Sequence, residues 1–201
     1  MRNFFQYNAY FFDLDDTLYP ETSYLFAAYR EIARFTAEKY NRDEIEIYTF
    51  LKYRFLECGR KNIFDKMNKH FATEEAGIHD YLNILRTINP GHKLPLYEKT
   101  KVLLKKLNRT NKKIFIVSNG NIRQQKNKIK HLDWENIKVA EVIYAGMSQP
   151  KPSPESVIAI IKKYGFSPAE CLFIGDSYVD ELTAKNAEMD FLNIRYLPQN
   201  I

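Results

Sequence analysis

Short apolar runs recur along the chain, and each stops at a polar, chemically capable residue: 9–12 before Asp13, 114–117 before Ser118, 142–145 ahead of Lys151, and 171–174 before Gly175 and Asp176. Runs this short, rich in Phe, Ile, Val and Tyr and separated by segments of helical period, predict buried parallel strands of an α/β unit. Residues 191–194 supply a fifth strand. The intervening helices are predicted over 97–107, 122–132, 154–164 and 179–188. Right-handed crossovers then place every strand's C-terminal end on one edge, where open α/β sheets bind ligands.

One stretch breaks the alternation. From about Pro20 to Leu94 the sequence offers no strand, while Leu25, Ala28, Tyr29, Ile32, Phe35 and Thr36 follow the 3, 4 spacing of an amphipathic helix. Further helices are predicted over 44–57, 61–71 and 73–88, and Asn89, Pro90, Gly91 and Pro95 then end the pattern. A segment of this length is too long for a loop in a compact domain. The predicted organisation is therefore an α/β core of residues 1–18 and 95–201 with a helical subdomain, 19–94, inserted after the first strand.

The 201 residues are 45% apolar and 27% charged, a globular composition that excludes disordered and collagenous classes. No apolar run approaches a membrane span, and carboxylates stand where a signal peptide would need an apolar stretch, so the expected location is cytoplasmic and no membrane is involved. Cys58 and Cys171 lack the spacing of a zinc site and are read as plain thiols. The four histidines show no paired ligand spacing. Net charge is +5, and the eleven basic residues between Lys99 and Lys130 are accompanied by no acidic one. Solvated helix faces account for most such runs; a field that attracts an anionic substrate is the sharper reading.

The chemistry lies at the strand ends. Asp13-Leu14-Asp15-Asp16-Thr17 places two carboxylates at a strand tip and in the turn that follows. Any one of them alone reads as a turn residue. Three other strand ends, however, carry Ser118-Asn119-Gly120, Lys151-Pro152 and Gly175-Asp176 with Asp180 four residues later, and the fold brings all of them to the same edge. In this order the four motifs resemble those of the haloacid dehalogenase-like hydrolase superfamily, over residues 8–18 and 96–196. The resemblance implies a Rossmann-like parallel core with helices on both faces, an inserted all-helical cap and a magnesium ion.

On that resemblance Asp13 is the nucleophile that forms an aspartyl-phosphate, and Asp15 is the acid and then the base. A carboxylate is ionised at neutral pH but repels a phosphate dianion, and a hard cation with oxygen ligands removes the conflict. Asp13, the Asp15 main-chain carbonyl and Asp176 are the expected ligands. Asp180 is the further acid, expected to meet the ion through water or from behind its direct ligands, and is preferred over its neighbour Glu181. Ser118 and the amides near Asn119 are expected on the phosphoryl oxygens, with Lys151 as a point charge beside them. Thr17 is expected to orient the turn and the Asp13 carboxylate. Lys151 also precedes a helix start in which Ser153 reads as N-cap and Pro154 as N1.

Asp15 argues against a dehalogenase, which lacks that acid, and Asp16 stands where phosphomutases of the family more often carry Gly. The stretch FFDLDDTLYP resembles the opening of pyrimidine 5'-nucleotidase-like members. The expected substrate is a small phosphate monoester, a nucleoside monophosphate first and a sugar phosphate second. The alternatives are a phosphomutase and a non-catalytic binder of a phospho-ligand or nucleic acid. The cap is expected to select the substrate, with Arg60 and Lys61 after Gly59 as its contacts. Tyr24, Phe26, Tyr48, Tyr53 and Phe55 could stack a base but more simply pack the cap's own core. Both a monomer and a homodimer are compatible with the sequence.

Overall fold

The computed structural model describes residues 4–73, 77–147 and 149–197. The chain divides into two compact units, one holding the described residues up to Glu21, Leu94–Gln125 and those from Leu132 onward, the other Thr22–Lys93 with Lys126–His131.

The first unit is built on five parallel strands, β1 Ala9–Phe12, β2 Lys113–Ser118, β3 Glu141–Tyr144, β4 Cys171–Gly175 and β5 Asp190–Asn193, in the order β3-β2-β1-β4-β5. β1 is central, with Phe11 opposite Phe115 on one side and Phe173 on the other. It is buried along its whole length. A central parallel strand is covered on both faces, which explains the unbroken apolar runs. Alternation sends Ala9, Phe11, Phe115, Val117, Cys171 and Phe173 to one face. There they meet Val157, Ile160 and Ile161 of α7 (Glu155–Tyr164) and Ala184 of α8 (Tyr178–Asn186). Tyr10, Phe12, Ile114 and Ile116 are buried as well and point the other way. On β2, α5 (Glu98–Arg109) packs through Leu103, Leu104 and Leu107.

The second unit is helical: α1 Glu21–Tyr40, α2 Glu44–Cys58, α3 Ile63–Phe71, α4 Ile78–Thr87 and the last part of α6, Ile122–His131. Leu25, Ala28, Tyr29 and Ile32 of α1 form its core with Ile47 and Leu51 of α2, Met67 of α3 and Tyr81 of α4. Thr36, Asn68, Thr73 and Tyr81 bury a small polar network in which Asn68 Oδ1 accepts from Tyr81 and Thr73 at 3.1 Å. The pairing offsets the desolvation such groups suffer in a core. Asn127 of α6 ties into the same unit, its amide donating to Ile88 O (2.7 Å) and to the Tyr24 hydroxyl (2.9 Å).

Element ends differ from the sequence reading for local reasons. Pro154 is the N-cap of α7, while Ser153 donates to Gln149 and reaches the Glu155 N–H only at 3.5 Å. α3 begins at Ile63 because Asn62 adopts a left-handed conformation. α4 begins at Ile78, and residues 74–76 of its predicted start lie outside the described residues. Among the described residues no helix is long and apolar enough to cross a membrane.

Candidate active site

Asp13 continues β1 by one residue, its N–H donating to Ile174 O at 2.9 Å. The carboxyl group is almost fully buried. At the end of β4, Gly175 leads to Asp176 and into α8, whose N-terminus is closed by a capping box. The Ser177 hydroxyl accepts from the Asp180 N–H (3.3 Å), and Asp180 Oδ2 accepts from the Ser177 N–H (3.2 Å) and hydroxyl (2.5 Å). This reciprocal pair fixes the Asp180 rotamer and turns its other oxygen inward. A Cβ on residue 175 would lie 2.5 Å from that of Asp180, so only glycine lets the strand end and the acid approach this closely.

Lys151 enters between the two strand ends. Its Nζ donates to Asp13 Oδ1 at 2.5 Å and to Asp180 Oδ1 at 2.6 Å, and its side chain is 4% exposed. The backbone that carries it is gripped from β2's end: Asn119 Oδ1 accepts from the Lys151 N–H (2.8 Å) and Asn119 Nδ2 donates to Lys151 O (3.0 Å). Ser118 is buried beside it, and its hydroxyl accepts from Gln125 Nε2 at 2.9 Å. Asp15, half-buried in the turn after β1, accepts from the Tyr19 hydroxyl at 2.8 Å.

The charge balance is unfavourable for carboxylates. Burial pushes the Asp13 carboxyl up to about 7, with Asp180 adding to it and Lys151 opposing. Burial also raises Asp176, helped by Asp180 and Asp16. For Lys151, burial alone acts downward, and the two carboxylates outweigh it and hold the ammonium above its ordinary value. Carboxylate oxygens of Asp13, Asp176 and Asp180 all lie within 4.8 Å of one another. One lysine leaves this cluster with excess negative charge. A set of hard oxygen donors without nitrogen or sulfur suits a hard divalent cation, so these residues fit one.

Asp13, Ser118, Asn119, Lys151, Asp176 and Asp180 thus gather at the strand ends, with Asp15 in the adjoining turn. Glu181 is exposed, on the solvent side of α8, whereas Asp180 is 1% exposed. Thr17 departs from expectation: its buried hydroxyl makes no hydrogen bond among the described residues, and its carbonyl accepts from Thr100 instead. Thr17 therefore does not hold the Asp13 carboxylate through a hydrogen bond. The Asn119 side chain is likewise spent on the Lys151 backbone. Arg60 belongs to the helical unit, exposed in the turn that follows Gly59. There Phe26 and Phe55 meet edge to face, Tyr24 is buried with its hydroxyl on Leu85 O, and Tyr53 is exposed. The buried Cys171 thiol is pushed up to about 12, consistent with a packing role. Sequence reasoning passed over Tyr19, Gln125 and Ser177, and a hydroxyl three residues before Asp180 was the one available signal among them.

A parallel α/β hydrolase core interrupted by an all-helical insertion, with acids and a lysine at its strand ends, defines the class. The chain belongs to the haloacid dehalogenase-like hydrolase family, whose sequence model matches residues 7–188. It is 33% identical over 108 residues to a phosphoglycolate phosphatase of Psychrobacter arcticus, a match that covers 53% of this chain and 46% of that protein. The matched region thus spans about half the length of that curated relative. A HAD-superfamily hydrolase from Ehrlichia chaffeensis is 27% identical, with a TM-score of 0.57 over 94% of this chain and 86% of the other. A HAD-superfamily hydrolase of subfamily IA from Geobacter sulfurreducens shares the fold at 19% identity and a TM-score of 0.58, over 94% and 88% of the two chains.

Proposed function

We propose that the protein is a magnesium-dependent phosphatase that hydrolyses a small phosphate monoester through an aspartyl-phosphate on Asp13. The observation that carries this reading is Lys151 Nζ seated between Asp13 and Asp180, with the Asp15 turn alongside. Asp13, the Asp15 main-chain carbonyl, Asp176 and Asp180 would hold the cation. When bound, the cation would offset the repulsion between carboxylates and phosphate and stabilise charge on the phosphoryl oxygens.

Asp13 attacks phosphorus in line with the ester oxygen. Lys151 places positive charge beside the nucleophile and the transferring group, and being already held it needs no reorganisation as charge develops. Ser118 and the backbone amides near Asn119 bind phosphoryl oxygens. Asp15 protonates the leaving alkoxide and then, as carboxylate, takes a proton from the water that hydrolyses the intermediate. A phosphomutase would divert the same intermediate to a second hydroxyl. Assaying the magnesium-loaded protein against nucleoside monophosphates, sugar phosphates and phosphoglycolate tests the reading, the last because of the name of the Psychrobacter relative. No turnover of any phosphate monoester would overturn it.

Asp15→Ala is expected to slow the phosphorylation step for alkyl phosphates more than for aryl phosphates, since a nitrophenolate leaves without a proton and an alkoxide does not. Single-turnover rates make the comparison, and equal losses would refute the acid role. Substrate choice is assigned to the inserted segment and to Arg60 in particular. Arg60→Ala should lower kcat/KM for the preferred metabolite while a small generic ester is much less affected. Equal reductions for both would return Arg60 to a solvated surface side chain.

A further inference from the structure

Asp15 is flanked by two side chains that none of the four motifs contains. The chain turns back sharply after Asp13: the Leu18 N–H donates to Leu14 O and the Asp16 N–H to Tyr19 O, both at 3.0 Å, with Asp16 at φ 55. This turn returns the Tyr19 hydroxyl to Asp15 Oδ1, to which it donates at 2.8 Å. Tyr19 is fully buried, so the contact is a fixed one.

Gln125 approaches from α6. Its Nε2 lies 2.6 Å from Asn119 O, 2.9 Å from Ser118 Oγ and 3.4 Å from Asp15 Oδ2. An amide nitrogen has two hydrogens, so Nε2 is shared among three acceptors and its contact with Asp15 Oδ2 is the longest of them. Tyr19 thus holds Asp15 Oδ1 at 2.8 Å, while Gln125 reaches Oδ2 at the longer distance of 3.4 Å. A Cβ on residue 120 would come within 3.2 Å of Gln125 Nε2, a tight contact that the glycine avoids.

We propose that Tyr19 and Gln125 are positioning residues for the acid/base step, Tyr19 anchoring Asp15 Oδ1 so that Oδ2 carries the proton, and Gln125 tying that carboxylate to the Ser118 end of β2. The proposal rests on the phosphatase reading. In the first half-reaction the Asp13 oxygen bonds to phosphorus, the ester P–O bond breaks, and the proton on Oδ2 passes to the departing oxygen, giving the alcohol. In the second, water bonds to phosphorus, its proton goes to Oδ2, and the Asp13 O–P bond breaks to release phosphate and restore the carboxylate. With Oδ1 held, the proton leaves and returns at one atom facing the leaving group.

The test is the single-turnover phosphorylation rate of magnesium-loaded Tyr19→Phe, Gln125→Met and Asp15→Ala variants on glycerol 3-phosphate and on 4-nitrophenyl phosphate. Loss of the hydrogen bond that stabilises the carboxylate forming as the proton leaves predicts about a tenfold slower alkyl reaction for Tyr19→Phe, with the aryl reaction changed less than about threefold. Gln125→Met should show the same alkyl-selective loss and in addition raise KM for both esters, because Ser118 loses its donor. Retained aryl turnover certifies the fold. If Tyr19→Phe does not fold, Gln125→Met decides alone. Equal losses on both esters, or no loss, overturn the proposal. An Asp15→Ala variant without alkyl selectivity would instead bring down the acid/base reading itself. Selectivity in Asp15→Ala but in neither of the other two defeats the positioning assignment alone.

Discussion

Asp13→Asn is expected to lower turnover at least about 10³-fold, the loss typical of an essential nucleophile that acts as part of a unit. The same substitution should leave the fold intact and strengthen it at alkaline pH. Burial holds the Asp13 carboxyl near 7, above the ordinary 3.8. A carboxyl whose folded value is raised favours the folded state fully below its unfolded value, and that contribution disappears as pH rises through the folded one. Asn behaves as the neutral acid throughout. The difference in stability between variant and parent should be small below pH 4, open between pH 4 and 7, and reach on the order of 1 to 4 kcal/mol above it in the metal-free protein. Lys151 keeps Asp180 as a partner in the variant. Denaturant unfolding at several pH values checks the stability, and a phosphoryl group trapped on another residue, with Asp13 unmodified, would refute the assignment.

Removal of the divalent cation should abolish activity, and magnesium should restore it. Without the cation, burial and neighbouring acids hold Asp13 and Asp176 above their ordinary values, so cation and protons compete for the same oxygens. Stabilisation by magnesium should therefore grow as pH rises from 5 to 8. A concentration a hundredfold above Kd adds about 2.7 kcal/mol, visible as a rise in Tm. Undiminished turnover in excess chelator, with metal absence verified, would exclude the proposed mechanism.

The strands were readable because β1, β2 and β4 are buried on both faces, so their apolar runs are continuous and end where the chain meets solvent at the ligand edge. That edge is also why Asp13, Ser118, Lys151 and Asp176 could be grouped from residues far apart. Contacts set by rotamers and tight turns were not readable. Tyr19 meets Asp15 because of a left-handed residue at 16, and Gln125 meets Ser118 across the loop that follows β2; neither geometry has a periodic signature. The Thr17 hydroxyl's lack of a hydrogen bond was not readable, because a hydroxyl beside a carboxylate in sequence says nothing about which way it points inside a buried turn. Helix starts at Ile63 and Glu155 were displaced by a backbone conformation and by a proline acting as cap.

The double hydrogen bond between the Asn119 side chain and the Lys151 backbone has the form of a one-residue β-ladder, with an amide side chain standing in for a neighbouring strand. It closes both hydrogen-bonding groups of a residue that belongs to no sheet and locks the base of a long, rotamer-rich side chain, while two carboxylates lock its tip. The freedom that a lysine ordinarily surrenders on meeting an anion is surrendered here once, during folding. An arriving phosphate then meets a stationary charge, and the ordering of Lys151 adds nothing to the barrier of each turnover.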